Sequence, residues 1–287
     1  MSKVEILEKE KNIGRTWDKF SFPGHLNPKR IMYKEPYFTT EEYTYKGIFE
    51  NLNNEFGGIK IKNVLEIGCG NANNLIYFIK NNISEKAVGI DVSKGALIGA
   101  NKNIDYYGVE KSRINLLNSS FEDFSTNEKF DLIICLQVIN YIPDLDLVFQ
   151  KLKLLLRDGG HVLISDGQKP FFSIKSKLVR SKWFMNLLGK EVFDDYLIFH
   201  KYDKVIKKST ENNFNTKMSQ FGFIWPFIYM DKLNFRLASH EYEIKLFRDI
   251  SRAIYIINRY ILSKSNKLFR KNCKGQIYYT LLKYKEQ

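Results

Sequence analysis

Cysteine and long apolar runs are both scarce in this chain of 287 residues. The cysteines are Cys69, Cys135 and Cys273, and they form no C-x-x-C pair, so we expect neither a metal site nor a disulfide framework. The longest aromatic and apolar run, residues 221–230, is too short to cross a bilayer, which requires about 20 residues. The start, MSKVEILEKEK, lacks the apolar region of a signal peptide, so we expect a cytoplasmic protein.

Acidic side chains are scarce in the C-terminal part of the chain. Residues 1–167 hold 21 basic and 22 acidic side chains, whereas residues 168–287 hold 24 and 10. This asymmetry favours an anionic substrate, a membrane surface or a nucleic acid as a partner of the C-terminal part. A general lysine-rich bias is the alternative, but it would not explain the balanced first part.

The glycine-rich loop lacks a third glycine. The sequence VLEIGCGNAN places Gly68 and Gly70 directly after an apolar strand, where the missing Cβ permits a tight turn close to a ligand. A dinucleotide fingerprint needs glycine at position 73, which is Asn73. Asp91 ends the next strand about 20 residues later, where a carboxylate can accept hydrogen bonds from both ribose hydroxyls. Recognition of adenosine without pyrophosphate indicates S-adenosylmethionine as the cofactor.

Four ordered motifs within residues 62–166 resemble those of the class I S-adenosylmethionine-dependent methyltransferases. EIGCGNA, which begins at Glu66, is similar to the family's E/D-x-G-x-G-x-G, and GID ends at Asp91. NSSFED begins at Asn118, and FDLIICLQVINYIPD begins at Phe130. LRDGGHVLI then resembles the family's turn into its fifth strand. The resemblance implies an enzyme that transfers a methyl group from S-adenosylmethionine.

The resemblance also implies which residues bind the cofactor. They are Glu66, Gly68, Cys69, Gly70, Asn71, Asp91, Val92, Ser119, Ser120, Phe121, Leu136 and Gln137. Glu66 is expected to bond either the loop itself or the amino acid end of the cofactor. Ser119 occupies the place of the aspartate that usually binds adenine in this family, so backbone groups near Ser120 and Phe121 are expected to supply that contact.

Strands alternate with helices from Ile61 onward, which predicts βαβ units and a parallel sheet. Strands are expected near 62–67, 87–91, 113–117, 130–136 and 160–165, and helices near 72–82, 95–107 and 145–156. The turn at 221–223 resembles the family's turn into a sixth strand, and 275–284 predicts the final strand. The predicted fold class is α/β, a Rossmann-like seven-stranded, mostly parallel sheet whose last strand is antiparallel.

Segments outside this core are expected to cover the substrate. Residues 1–45 are predicted to be an N-terminal lid. Residues 46–287 are predicted to be the methyltransferase domain, with helical substrate-cap insertions at about 168–218 and 231–270. The stretch 243–270 predicts a basic amphipathic helix, which either contacts a membrane or lipid substrate peripherally or packs its apolar stripe on the core.

Three side chains are candidates for catalysis at the acceptor. Tyr141 follows the fourth strand, where it could orient the substrate, lie over the cofactor or simply pack, and a phenol is a poor base at neutral pH. Asp166 ends the fifth strand as a substrate contact, a base or a turn-forming carboxylate. His200 lies in the variable region and is either a base or an ordinary structural histidine.

The motifs favour methylation of a small molecule, at oxygen first and nitrogen next. The acceptor classes are a metabolite, a sugar, a quinone and a natural-product intermediate. A lipid-linked substrate at a membrane surface is one alternative, and RNA or another nucleic acid bound by the basic C-terminal part is a second. The chain lacks the N/D-P-P-Y/F motif expected for methylation of base amino groups, which counts against nucleic acid. A protein that binds the cofactor without turnover is a further alternative.

Overall fold

Strands and helices alternate along the part of the chain that the structure, a computed structural model, describes: residues 13–14, 61–167, 198, 200–222 and 277–285. The strands are β1 (Ile61–Ile67), β2 (Ser84–Asp91), β3 (Ile114–Asn118), β4 (Phe130–Leu136), β5 (Leu156–Gly167), β6 (Phe214–Gly222) and β7 (Ile277–Tyr284). The α-helices are α1 (Asn73–Lys80), α2 (Lys94–Tyr106), α3 (Leu145–Leu155) and α4 (Tyr202–Glu211). Short 3-10 turns at Lys111–Arg113 and Ile139–Tyr141 precede β3 and follow β4.

All seven strands belong to one sheet with the order β3-β2-β1-β4-β5-β7-β6. The neighbouring strands β3, β2, β1, β4 and β5 pair in parallel. Strand β7 lies between β5 and β6 and is antiparallel to both. This topology confirms the predicted α/β fold with its antiparallel last strand. The order of the strands reverses between β1 and β4, and ligands of such sheets bind at the carboxyl ends of the strands beside this point.

Apolar side chains cover both faces of the sheet, as a parallel sheet between helices requires. Helices α1 and α2 pack on one face with residues such as Phe78 and Ala100. Helix α3 packs on the other face through Phe149 and Leu152, and Val205 of α4 extends the same cluster. The described helices therefore fix the sheet from both sides and leave the carboxyl ends of its strands for the site.

Gly89 in β2 allows the loop after β1 to approach the sheet closely. A Cβ at this position would lie 2.7 Å from Cys69 Sγ and 2.8 Å from Leu75 Cδ1. Both distances are shorter than packed carbon and sulfur atoms tolerate, because the optimal separation of such atoms is about 3.5–4.0 Å. The missing side chain thus places the glycine-rich loop and α1 directly on β2.

The sixth strand begins earlier than the sequence predicted. The prediction of a turn into this strand at 221–223 was wrong, because β6 spans Phe214–Gly222 and the turn is formed by Asn212 and Asn213. Asn213 adopts a positive φ of 66°, a conformation that asparagine tolerates better than most residues other than glycine. Consequently α4 and the start of β6 are parts of the core, although both fall within the predicted insertion at 168–218.

Several expectations concern residues outside the described ranges. The insertion at 231–270 and the helix predicted at 243–270 lie there, as does the lid at 1–45 apart from Ile13 and Gly14. These expectations stay predictions. Within the described residues, no helix combines the length and the apolar character needed to span a bilayer.

Candidate active site

A cavity of about 590 Å³ lies at the carboxyl ends of β1 to β4, beside the reversal of strand order. Many of the predicted cofactor-binding residues line it: Gly68, Gly70, Asp91, Val92, Ser119, Ser120, Phe121, Leu136 and Gln137. Tyr141 lines it as well. Glu66, Cys69 and Asn71 lie behind this lining, in the strand and loop that support it. The cavity therefore brings together residues from four separate strand ends.

Asp91 joins three segments of the chain at one end of the cavity. Its Oδ2 accepts a hydrogen bond of 2.8 Å from the Gly70 N–H, and its Oδ1 accepts one of 2.8 Å from the Ser93 N–H. Its backbone carbonyl accepts hydrogen bonds from Ser119 N–H at 3.1 Å and from Asn118 Nδ2 at 2.9 Å. Asp91 is only partly buried and lines the cavity, so hydroxyl groups of a bound ligand can reach its carboxylate.

The loop after β1 has the backbone conformation that its glycines predict. Gly68 and Gly70 have φ values of 69° and 51°, and Ala72, in the place of the family's third glycine, has a φ of 56°. A Cβ at Gly68 would overlap with the side chain of Val138. The loop therefore lies against the turn that follows β4, and a side chain at position 68 would separate the two.

Glu66 is buried behind this loop. Its Oε1 accepts a hydrogen bond of 2.6 Å from Asn74 Nδ2 at the start of α1. Its Oε2 is also buried and has no hydrogen-bond partner among the described residues. Burial raises the pKa of this carboxyl group from 4.5 to about 8, although the bond from Asn74 opposes the shift. Glu66 therefore holds the loop, and it keeps one acceptor that a donor on a bound cofactor could satisfy.

The two serines after β3 use their hydroxyl groups locally. Ser119 Oγ donates to the Ser120 carbonyl at 2.9 Å, and Ser120 Oγ accepts from the Asp123 N–H at 3.1 Å. These bonds shape the turn that carries Phe121 and Glu122, both of which line the cavity. The turn thus presents backbone groups, an aromatic ring and a carboxylate to the same end of the cavity as Asp91.

The opposite wall of the cavity is formed after β4. Gln137 has a positive φ of 61°, and its N–H donates to the Ser165 carbonyl at 2.7 Å, which anchors this strained residue to β5. Tyr141 is half-buried in the following 3-10 turn. Among the other side chains on this wall, Val138, Ile142, Pro143 and Leu147 are apolar and Asp144 is acidic.

Two of the predicted catalytic residues are not on the cavity wall. Asp166 is buried and accepts hydrogen bonds from the backbone and side chain of Asn140. Burial raises its pKa from 3.8 to about 7, against the effect of these bonds. His200 is also buried, its Nε2 lies 2.8 Å from the Ile142 carbonyl, and burial lowers its pKa. Their placement supports the turn-forming and structural alternatives rather than a direct role as a base.

Sequence reasoning missed several residues that line the cavity. Ile13 and Glu122 are two of them, together with Val138, Ile142 and Leu147 on the apolar wall. Glu122 lies within a motif that was identified, so its proximity could have been inferred. Ile13 is distant in sequence, and it reaches the site beside Gly14, where a Cβ would lie 2.8 Å from the Val92 carbonyl oxygen. No sequence pattern distinguishes such residues from ordinary core residues.

The geometry defines an enzyme of the Rossmann-like class with a site for an adenosine-containing cofactor. A glycine turn, a ribose-competent carboxylate and a partly apolar cavity meet at the reversal of strand order. The family model described as the methyltransferase domain matches residues 60–233. The chain belongs to this family, and it is an S-adenosylmethionine-dependent methyltransferase.

Known proteins are similar to this chain in sequence or in fold. A ubiquinone biosynthesis O-methyltransferase from Glaesserella parasuis serovar 5 (strain SH0165) is 25% identical over 215 residues, which cover 71% of this chain and 78% of the relative. The crystal structure of the [4+2]-cyclase SpnF has a TM-score of 0.61 at 11% identity and covers 97% of both chains. A Haemonchus contortus phosphoethanolamine N-methyltransferase 2 in complex with S-adenosyl-L-methionine has a TM-score of 0.60 at 13% identity, covering 95% of this chain and 60% of its own.

The residues present fit S-adenosylmethionine. Gly68 and Gly70 line the cavity with backbone, Asp91 offers a carboxylate for hydroxyl groups, and Glu66 holds a buried acceptor without a partner among the described residues. Within the same residues, no cluster of histidine, cysteine and carboxylate side chains could hold a metal ion. The Cys69 thiol is buried under the loop, and this burial raises its pKa, so it is an unreactive packing group.

Substitution of Asp91 by Asn is expected to weaken cofactor binding. The amide keeps the shape of the side chain but presents an N–H group toward one of the two N–H donors, Gly70 or Ser93. The loss of a charged hydrogen bond, at about 1.5–3 kcal/mol, corresponds to a rise of about 10–100-fold in the Kd for S-adenosylmethionine. Isothermal titration calorimetry measures this Kd. Asp105→Asn, at an exposed ion pair with Lys111, is the control, and equal affinities of the two variants would contradict the role of Asp91.

Substitution of Glu66 by Gln is expected to change how stability depends on pH. The folded protein holds the Glu66 proton up to about pH 8, whereas the unfolded chain releases it near pH 4.5. Because the folded state binds more protons between these values, the wild-type free energy of unfolding falls as pH rises from 5 to 8. Glutamine removes this titration, so the variant gains stability relative to the wild type over the same interval. Urea denaturation at pH 5, 6.5 and 8 measures the difference in free energy of unfolding between the variant and the wild type. A difference that stays constant with pH would refute the raised pKa of the buried Glu66 carboxyl group.

Proposed function

We propose that the protein transfers the methyl group of S-adenosylmethionine to a hydroxyl oxygen on a small apolar acceptor of the catechol or hydroquinone type. The observation that carries the proposal is the apolar wall after β4, with Val138, Ile142, Pro143 and Leu147. An acceptor with an aromatic or isoprenoid body would bury its apolar surface there. The relative named for O-methylation in ubiquinone biosynthesis supports the same acceptor class.

The ends of β1, β2 and β3 would hold the cofactor. Asp91 would accept hydrogen bonds from the ribose, while Gly68 and Gly70 permit a close approach of the backbone. The bound cofactor supplies an electrophilic methyl group on a positively charged sulfur. Leu136 and Gln137, at the end of β4, lie between this side of the cavity and the apolar wall. The two sides would therefore place an acceptor next to the cofactor and exclude water from the space between them.

Tyr141 would orient the acceptor hydroxyl. It is the half-buried polar side chain of the turn after β4. This turn forms the apolar wall of Val138, Ile142, Pro143 and Leu147, which we call the acceptor wall. A phenol with a pKa near 10 donates or accepts a hydrogen bond but is a poor base at neutral pH. The hydroxyl groups of catechols and hydroquinones ionise more readily than those of aliphatic alcohols. This acceptor class therefore places a smaller demand on a protein base, and alignment would supply most of the acceleration.

A direct test uses purified protein, methyl-labelled S-adenosylmethionine and three acceptors: a prenylated catechol, phosphoethanolamine and total RNA. We expect label on a ring oxygen of the catechol, identified by mass spectrometry of the methoxy product. Tyr141→Phe should lower kcat by about 10–100-fold, because the acceptor hydroxyl loses its orienting partner. Tyr106→Phe, at an exposed tyrosine of α2, is the matched control and should keep full activity.

Preferential labelling of phosphoethanolamine or of RNA would overturn the proposed acceptor class. Retention of full kcat by Tyr141→Phe on the catechol would leave the acceptor class intact and remove Tyr141 from its orienting role.

A further inference from the structure

Asn140 is a buried polar residue, 2% exposed, that lies in the 3-10 turn beside Tyr141. The backbone N–H and carbonyl and both side-chain polar atoms of Asn140 all form hydrogen bonds within the described residues. Burial of an amide is unfavourable unless its donors and acceptors are all satisfied, and here they are. We name Asn140, Asp166, Gly167, Ile198 and His200 the Asn140 cluster.

One side of the Asn140 cluster is the end of β5. The Asn140 N–H donates to Asp166 Oδ2 at 3.0 Å, and Asn140 Nδ2 donates to Asp166 Oδ1 at 2.5 Å. The same Nδ2 donates to the Gly167 carbonyl at 2.8 Å, and the Gly167 N–H donates to Asp166 Oδ1 at 2.8 Å. The turn is thus held on β5 by three hydrogen bonds that Asn140 donates.

The other side of the Asn140 cluster is the segment before α4. The Ile198 N–H donates to the Asn140 carbonyl at 2.6 Å, and the His200 N–H donates to Asn140 Oδ1 at 3.1 Å. The His200 ring adds a contact of 2.8 Å between Nε2 and the Ile142 carbonyl. Two residues of this turn, Asn140 and Ile142, are therefore bonded to a segment that lies about 60 positions further along the chain.

The cluster lies directly behind the acceptor wall. Tyr141 and Ile142 line the cavity, whereas Asn140, between Ile139 and Tyr141, points into the protein. Gly167, at the end of β5, and Ile198, before α4, are both bonded to Asn140. The hydrogen bonds of Asn140 therefore join the acceptor wall, the end of β5 and the segment before α4.

We propose that Asn140 is a positioning residue for methyl transfer: its pair with Asp166 fixes the place of Tyr141 and Ile142 relative to the ends of the strands. The inference rests on the proposed acceptor site. It also gives Asp166 and His200 a role that agrees with their burial, because both act through the turn without facing the cavity. Asparagine suits this position since one side chain donates to Asp166 and Gly167 and also accepts from His200.

The test compares the wild type with Asn140→Asp and with the exchanged pair Asn140→Asp/Asp166→Asn. Asn140→Asp removes the side-chain donor and sets two carboxyl groups against each other. The exchange returns one amide–carboxylate bond between the two side chains, but it leaves the Gly167 carbonyl without its donor and turns one acceptor at position 166 into a donor. Leu152→Ala, which truncates a fully buried core residue of α3, is the control for lost stability alone. The readouts are kcat and KM for the prenylated catechol, the Kd for S-adenosylmethionine, and Tm.

We expect Asn140→Asp to lower kcat by about 10–100-fold, because a displacement of about 1 Å at the acceptor has an effect of that size. The Kd for S-adenosylmethionine should stay within about twofold, since Asn140 lies outside the cavity lining. The exchanged pair should recover about threefold in kcat relative to Asn140→Asp, because one of the lost bonds returns and residues in direct contact are coupled. Leu152→Ala should lower Tm and leave kcat unchanged. The proposal would be overturned if Asn140→Asp lowered Tm without lowering kcat. It would also be overturned if the exchanged pair recovered none of the lost kcat.

Hydrogen exchange separates this proposal from the proposed function. If the wild type does not methylate the catechol, the proposed acceptor class fails, and the positioning claim is decided by amide exchange of residues 137–144 followed by mass spectrometry. Faster exchange in Asn140→Asp that becomes slower again in the exchanged pair supports the claim. Exchange at the wild-type rate in all variants overturns it.

Discussion

The carboxylate of Asp91 is the contact on which the geometry of the site depends. One oxygen holds the Gly70 N–H of the loop after β1, and the other holds the Ser93 N–H at the start of α2. The Asp91 carbonyl adds the Ser119 N–H at the end of β3. Three segments that follow different strands are thus fixed at one point. Asp91 also satisfies three backbone N–H groups that would otherwise lack a hydrogen-bond acceptor.

The cavity has two sides that are held by different means. The cofactor side depends on backbone conformation, because Gly68 and Gly70 have positive φ values. Asp91 fixes this loop by accepting a hydrogen bond from the Gly70 N–H. The acceptor side depends on a single turn after β4, which Gln137 ties to Ser165 and Asn140 ties to Asp166. A change on one side should therefore act mainly on cofactor affinity, and a change on the other mainly on turnover. This separation is what allows cofactor and acceptor roles to be tested independently.

Local patterns were sufficient to predict most of the core. The strands from β1 to β5 and β7 were anticipated because a buried strand is a short apolar run, and Gly68 and Asp91 because their places follow from strand ends. The sixth strand was misplaced because the turn into it is formed by Asn212 and Asn213, with Asn213 in the left-handed conformation, and not by residues 221–223. The roles of Asp166 and His200 could not be read locally, since only the folded chain shows that both face Asn140 and Ile142 instead of the cavity. Ile13 was missed for the same reason, as a contact between distant segments leaves no periodic signal.

The most direct measurement is a competition between cofactors, because the central claim is a site for adenosine that does not require pyrophosphate. Labelled S-adenosylmethionine is bound to the purified protein and challenged with S-adenosylhomocysteine and, separately, with NAD. We expect one cofactor per chain, displacement by S-adenosylhomocysteine and no displacement by NAD. Displacement by NAD at concentrations similar to those of S-adenosylhomocysteine would contradict it.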